Sequence, residues 1–159
     1  MKQHHYSLIV NWTGNKGVGT SGYKSYERSH EIIVDGKEII EGSSDPAFLG
    51  DAKKYNPEEL LLASISSCHM LWYLHLCAEA GVVVVEYTDT AKGTMIEMEN
   101  GGGKFEKVIL CPTVTVLRKD MQETATELHK KANEYCFIAN SLNFKVGHQP
   151  IILLKKKSS

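Results

Sequence analysis

This chain has almost no net charge, no closely spaced cysteine pair and no phosphate-binding glycine motif, and each absence removes a class of function. Over 159 residues, 18 lysines and arginines oppose 19 carboxylates, for a formal net charge of −1. No bulk field therefore draws the chain to nucleic acid or to a membrane surface. Cys68, Cys77, Cys111 and Cys136 form no CxxC pair, and no cysteines or histidines have a zinc-site spacing such as CxxC or HxxxH, so no metal is expected. The glycine-rich stretch GNKGVGTSGY lacks the GK[ST] ending of a phosphate loop, and no dinucleotide fingerprint occurs; no bound cofactor is expected. The opening MKQHHYSLIVNW is too short an apolar stretch for a secretory signal and lacks a small-residue cleavage site. Reduced thiols in a cytoplasm are then the expectation, not a disulfide framework. The terminal KKKSS reads as a solvated end.

The composition that remains is that of one soluble globular domain spanning residues 1–159, 42% hydrophobic and 23% charged. Tyr6, Leu8, Val10 and Trp12 alternate with more polar neighbours and predict a strand. In HEIIVDGKEII the central Asp35-Gly36 predicts two strands joined by a type I′ turn. The run NPEELLLASISSCHMLWYLHLCAEAG, residues 56–81, predicts a long helix. Asn56 suits the N-cap, Pro57 the first helical position, Glu59 a capping box and Gly81 the C-cap. Glu58, Glu59, His69, His75 and Glu79 interrupt it, which favours a buried soluble helix over a membrane span.

Beyond Gly81, a strand from Val82 to about Met98 turns at ENGGG and returns as FEKVILCPTVTVL, where Pro112 suggests an edge position or a bulge. A second helix is expected from Asp120, with Met121, Ala125, Leu128, Ala132 and Tyr135 as its apolar stripe, ending close to Cys136. One or two last strands fall in residues 143–146 and 150–154. The order predicts an α+β fold with largely antiparallel sheets, a long buried central helix and a second, amphipathic helix. So short a chain has little material to cover a helix that is apolar almost all round, which points to a homodimer.

Cys68 lies near the middle of that helix and has two readings. Free cysteine is among the most buried residue types, so it can be inert core filling. As a nucleophile it would need to be a thiolate, and an ordinary thiol of pKa about 8.5 is only a few per cent ionised at neutral pH. Bringing such a thiol to about 6 takes roughly 3.4 kcal/mol of preferential anion stabilisation, at about 1.36 kcal/mol per unit. Burial works in the opposite direction, so a cation or oriented donors are required.

Arginine is scarce, with only Arg28 and Arg118. Arg28, in YERSH, offers a planar fork that stays charged when partly buried; its alternative is a surface arginine paired with Glu27 or Glu31. His69 follows Cys68 directly and points about 100° away on a helix, so it reads as a structural or supporting group and not as a base for the thiol. His75 is similarly ambiguous. Cys136 is either an unrelated thiol or, if it meets Cys68 in space, the partner that condenses with a Cys68 sulfenic acid. Cys77 and Cys111 read as structural.

NPEELLLASISSC resembles the segment around the reactive cysteine of the OsmC/Ohr family, the osmotically inducible and organic hydroperoxide resistance proteins. The pattern there is NPE, a helix rich in small residues, and a cysteine ten residues after the glutamate, here Glu58 to Cys68. ANEYCFIANSLNFKV, with Cys136, resembles the segment of the family's second cysteine, and the resemblance covers essentially the whole chain. It implies an OsmC-like fold in an intertwined homodimer with active sites at the subunit interface. It also implies a cytoplasmic thiol peroxidase that reduces organic hydroperoxides. Cys68 would be the peroxidatic and Cys136 the resolving cysteine; Arg28 would stabilise the thiolate and Glu58 would hold Arg28. A dithiol or lipoyl-type reductant would regenerate the enzyme.

The alternative is a redox sensor or apolar-ligand carrier of the same fold. Two departures mark a divergent subgroup. Phe137 stands where many members have proline, and Trp72 and Tyr73 add bulk after the reactive cysteine. Glu58 and Cys68 lie about 15 Å apart on one helix, at about 1.5 Å per residue. One arginine cannot bridge both, so Arg28 and Glu58 come from the partner subunit, or Glu58 is only a capping carboxylate.

Overall fold

The computed structural model describes residues 1–156; the last three residues of the KKKSS tail lie outside the described residues. The chain divides into two compact units, residues 1–61 and 62–159, with the boundary inside the first helix.

The first unit is built on an antiparallel sheet, β1 (Ile9–Trp12), β2 (His30–Ile33) and β3 (Ile40–Gly42), in the order β1-β2-β3. Trp12 pairs with His30 and Ile32 with Ile40. The hairpin forms where Asp35-Gly36 predicts it, but its turn is not type I′. Gly36 has φ +72°, whereas Asp35 is not among the residues of positive φ. The Lys37 N–H closes the turn on the Val34 carbonyl at 3.1 Å. A type I′ turn needs both central residues left-handed, and an aspartate meets that steric cost where glycine does not. The strands stop at Ile33 and Ile40, so the loop is wider than a two-residue turn and does not need the I′ twist.

Helix α1 (Pro57–Glu79) begins and ends on its caps. The Glu59 N–H donates to Asn56 Oδ1 at 2.8 Å, and the Asn56 N–H donates back to Glu59 Oε2 at 3.2 Å. This reciprocal pair satisfies two of the amide donors that a helix start leaves open. At the other end Gly81 has φ +72°, the Val82 N–H reaches the Cys77 carbonyl at 2.8 Å, and the Gly81 N–H reaches that of Ala78 at 3.2 Å. These two bonds make a Schellman cap. By length and composition alone α1 could cross a membrane, but one face of it is core. Ile65, His69, Tyr73, Leu76 and Cys77 are buried at helical spacing. The opposite face is open, with Leu71 63% exposed, so within one chain the helix is covered on one side only.

The second unit holds two three-stranded sheets. One has the order β4-β7-β9, from β4 (Val84–Asp89), β7 (Pro112–Val116) and β9 (Ile151–Leu154); the other has the order β5-β6-β8, from β5 (Lys92–Glu97), β6 (Gly103–Leu110) and β8 (Val146–His148). The expected single strand from Val82 to Met98 is thus two strands in different sheets, and its return strand is likewise broken at Cys111. The break has a side-chain lock: Asp89 Oδ1 accepts the Cys111 N–H at 2.7 Å, and Asp89 Oδ2 accepts the Ser66 hydroxyl from α1. Pro112 is neither at an edge nor in a bulge. It is buried at the first position of central strand β7, where a missing N–H interrupts no ladder. Most pairings are antiparallel, as expected, but β8 joins β6 and β9 joins β7 in parallel register.

The amphipathic helix α2 (Gln122–Tyr135) is preceded by a 3-10 turn at Lys119–Met121 and not by an Asp120 cap. The Asp120 carboxylate is instead held by the Arg118 guanidinium at 3.1 and 3.2 Å. Met121, Ala125 and Ala132 are buried and Leu128 partly so; Tyr135 is exposed. Met121, Ala125, Ala132 and Leu128 pack with Tyr73, Leu76, Cys77, Val82, Val114 and Val116 as the core of this unit.

A Cβ on Gly81 would meet nothing within 4 Å, so the cost of replacing it is conformational and not steric. Gly81→Ala is expected to destabilise the fold by about 1 kcal/mol. This would be read as a lower urea midpoint with an unchanged slope; an unchanged midpoint would contradict it.

Candidate active site

Cys68 sits on α1 with Ser64, Leu71, Trp72 and His75, residues spaced four, three and seven positions away and therefore on its own side of the helix. They line a groove of about 600 Å³ together with Ser67. Its other wall is Phe137 and Ile138, from the short helix α3 (Phe137–Asn140) that follows α2. The lining is mostly apolar, and Ser67 turns its hydroxyl back to the Ala63 and Ser64 carbonyls.

Cys136 stands between α2 and α3 and is 1% exposed. Its sulfur caps α3, accepting the Ala139 N–H at 3.4 Å. Burial pushes its pKa up, and a hydrogen bond with the Cys68 side chain adds to the shift. Cys136 therefore stays a protonated thiol at neutral pH. The two cysteines expected to act together do lie together, and all four cysteines of the chain are free. Cys77, in contrast, is part of the core beside Tyr73, and Cys111 lends its backbone to the Asp89 lock.

Arg28 and Glu58 belong to the first unit. The Arg28 guanidinium donates to the Tyr26 carbonyl at 2.7 Å and the Tyr23 carbonyl at 2.6 Å, and it lies 4.2 and 4.6 Å from those two ring centroids. Among the described residues neither Glu27 nor Glu31 pairs with Arg28, and Glu27 is paired with Lys16 at 3.0 Å. Among the described residues no ion pair joins Glu58 to Arg28. Glu58 is half-buried in the first turn of α1, where it favours the positive end of the helix dipole. His75 is exposed and its Nε2 lies 3.5 Å from Glu79 Oε1.

A histidine cluster lies on the buried side of α1. His69 Nε2 and His129 Nδ1 are 3.0 Å apart, one donating and the other accepting. His148 of β8 stands at 5.8 Å from the His69 ring, and Tyr73 stacks on His129 at 3.8 Å. Burial lowers the His69 pKa to about 4 and that of His129 to about 3, with the neighbouring imidazoles adding to both shifts. His69 and His129 stack, and His148 meets them edge-on or tilted; among the described residues no three His, Cys, Asp or Glu side chains are disposed to hold a metal ion. The structural role expected for His69 fits this place. His129 and His148 went unnoticed in sequence, although His129 lies four residues after Ala125 and three before Ala132, on the same buried stripe.

The comparisons with known proteins agree with this architecture. The OsmC family, described as OsmC-like protein, matches residues 50–149. An OsmC-like protein of unknown function from Vibrio cholerae is 32% identical, with a TM-score of 0.84 over 94% of this chain and 100% of that one. An organic hydroperoxide resistance protein from Elizabethkingia anophelis shares the fold at 22% identity, TM-score 0.68, over 97% of this chain and 100% of that one. In sequence, the uncharacterized protein YmaD of Bacillus subtilis is 27% identical over 94% of this chain and 93% of its own length. The chain is a member of the OsmC family.

The histidine cluster has a consequence for stability. His69 and His129 are 1% and 0% exposed and neutral when folded, whereas unfolded histidine titrates near 6.5. Below about pH 6.5 the unfolded chain binds protons that the folded chain refuses. Stability is then fully present above that pH and is lost as pH falls toward 4. Between pH 7.5 and 5 each histidine is expected to remove about 2 kcal/mol. Urea unfolding at the two pH values checks this, and His129→Gln should shrink the loss by about half. A wild-type stability that is flat over the interval would contradict it.

Proposed function

We propose that the protein is a thiol peroxidase acting on organic hydroperoxides. The observation that carries this reading is the Cys68–Cys136 thiol pair, in which Cys68 lines an apolar groove and Cys136 is buried beside it. The Cys68 thiolate attacks the terminal oxygen of ROOH. The O–O bond breaks, an S–O bond forms, and the alkoxide leaves and takes up a proton as ROH. Cys68 is now a sulfenic acid. The Cys136 sulfur attacks it, its proton leaves with the hydroxyl as water, and a disulfide joins the two residues. An external dithiol, of lipoyl type, returns both to thiols and is itself oxidised to a disulfide. The apolar lining favours an alkyl or aryl R group over hydrogen peroxide, which has no apolar area to bury.

Arg28 is assigned the thiolate-stabilising and peroxide-orienting role, with Glu58 as its anchor, both supplied by the partner subunit of a homodimer. The uncovered face of α1 and the exposed Ile9, Val10 and Trp12 of β1 are the apolar surfaces that such a partner would cover. A cytoplasmic setting, where thiol reductants are available, suits the cycle. A redox sensor or apolar-ligand carrier on the same groove is the second reading, favoured by the apolar lining alone; it predicts thiol oxidation or binding without turnover.

Cys68→Ser is expected to abolish consumption of tert-butyl hydroperoxide in the presence of dihydrolipoamide. Cys136→Ser should still oxidise once, yielding a sulfenic acid that dimedone traps, but should lose turnover by a factor of 100 or more, on the order of what losing one essential catalytic group costs. Full turnover in Cys68→Ser would end this reading. Arg28→Lys keeps a charge but not the fork, so a drop of roughly tenfold or more in kcat/KM is expected.

A further inference from the structure

The groove is lined by more aromatic surface than its chemistry requires, and the rings stand beside both thiols. Trp72 lies one helical turn after Cys68, and Phe137 directly follows Cys136. Their ring centroids are 5.6 Å apart with planes at 80°, so the two rings form a corner. Trp72 is fixed there by two further rings, His75 at 5.7 Å and Tyr135 at 5.3 Å. Phe137 keeps 68% of its surface exposed, and so has ring surface to offer a ligand.

We infer that Trp72 and Phe137 make this groove selective for hydroperoxides that carry an aryl ring beside the peroxide carbon, an inference that rests on the thiol peroxidase reading above. Aromatic rings carry a negative face and a positive edge and prefer edge-to-face or offset contacts. A flat ring entering a right-angled corner can lie against one ring while presenting its edge to the other. A saturated ring of the same carbon skeleton buries similar apolar area but has no quadrupole to match. Polar groups of the groove contribute little to the choice, since the Ser67 hydroxyl is bonded within α1 and His75 is engaged with Glu79. Because the corner and Cys68 line the same groove, a ring seated in it keeps its peroxide on the Cys68 side of the groove.

The test compares cumene hydroperoxide with its ring-saturated analogue, 2-cyclohexyl-2-propyl hydroperoxide, for the wild-type protein and Phe137→Leu. The wild type is expected to favour the aryl substrate in kcat/KM by about two- to tenfold, the range of one aromatic pair. In Phe137→Leu the ratio should fall toward one. The corresponding alcohols, 2-phenyl-2-propanol and 2-cyclohexyl-2-propanol, are titrated in parallel, following the Trp72 indole N–H by NMR, and should show the same preference in Kd. Equal ratios in wild type and variant, or no preference in either measurement, would overturn the selectivity. Absence of turnover with every hydroperoxide would instead end the peroxidase reading, and the alcohol titration would then decide on aryl preference by itself. Dissociation of a wild-type dimer on Phe137→Leu, seen by sedimentation with the ratio unchanged, would assign the rings to a subunit contact and overturn the inference.

Discussion

Everything that makes Cys68 interesting depends on how α2 is held against α1. The Tyr73 hydroxyl donates to the Ala125 carbonyl at 3.0 Å, and one turn earlier on α1 His69 meets His129. Both bonds are buried, so each leaves a costly unsatisfied group if broken. Together they hold two successive turns of α2 against α1, and Cys136 is the residue that ends α2. The closeness of two cysteines 68 positions apart is thus a result of helix packing and not of the local chain. The same packing leaves the other side of α1 open, and that open side is the groove wall.

The two thiols are differentiated by their surroundings. Cys136 is almost fully covered, and burial together with the neighbouring sulfur favours its protonated form. Cys68 opens on the groove. The proposed division of labour between an attacking and a resolving cysteine asks for this arrangement: one sulfur accessible, the other protonated and near. His69 and His129 behind them are buried, neutral and stacked, with no place in the proposed cycle. Their burial is expected to make the core sensitive to acid at the His69–His129 contact between α1 and α2.

Local chemistry was legible in the chain. Asn56, Glu59 and Gly81 define the ends of α1 because capping depends on residues within a turn of each other, and the structure places all three as expected. The family pattern around Cys68 was likewise readable, since it is a contiguous run. Asp35-Gly36 marked a hairpin correctly but not its turn type, because the wider loop relieved the backbone of the double left-handed requirement.

What the sequence by itself determined is a capped apolar helix with a cysteine on it, an amphipathic helix ending at a second cysteine, and a mostly antiparallel α+β order. Each follows from periodicity or capping within a few residues. Tertiary structure alone decided that two apparent long strands break at Thr90–Ala91 and Cys111 and enter separate sheets, because Asp89 draws on partners more than 20 positions away. It alone decided that β8 and β9 add in parallel, that His69 of α1 and His129 of α2 meet in the interior with the half-buried His148 of β8 beside them, and that Trp72 and Phe137 form one corner. Such contacts arise where separate elements pack, and no local pattern encodes which side chains will meet there.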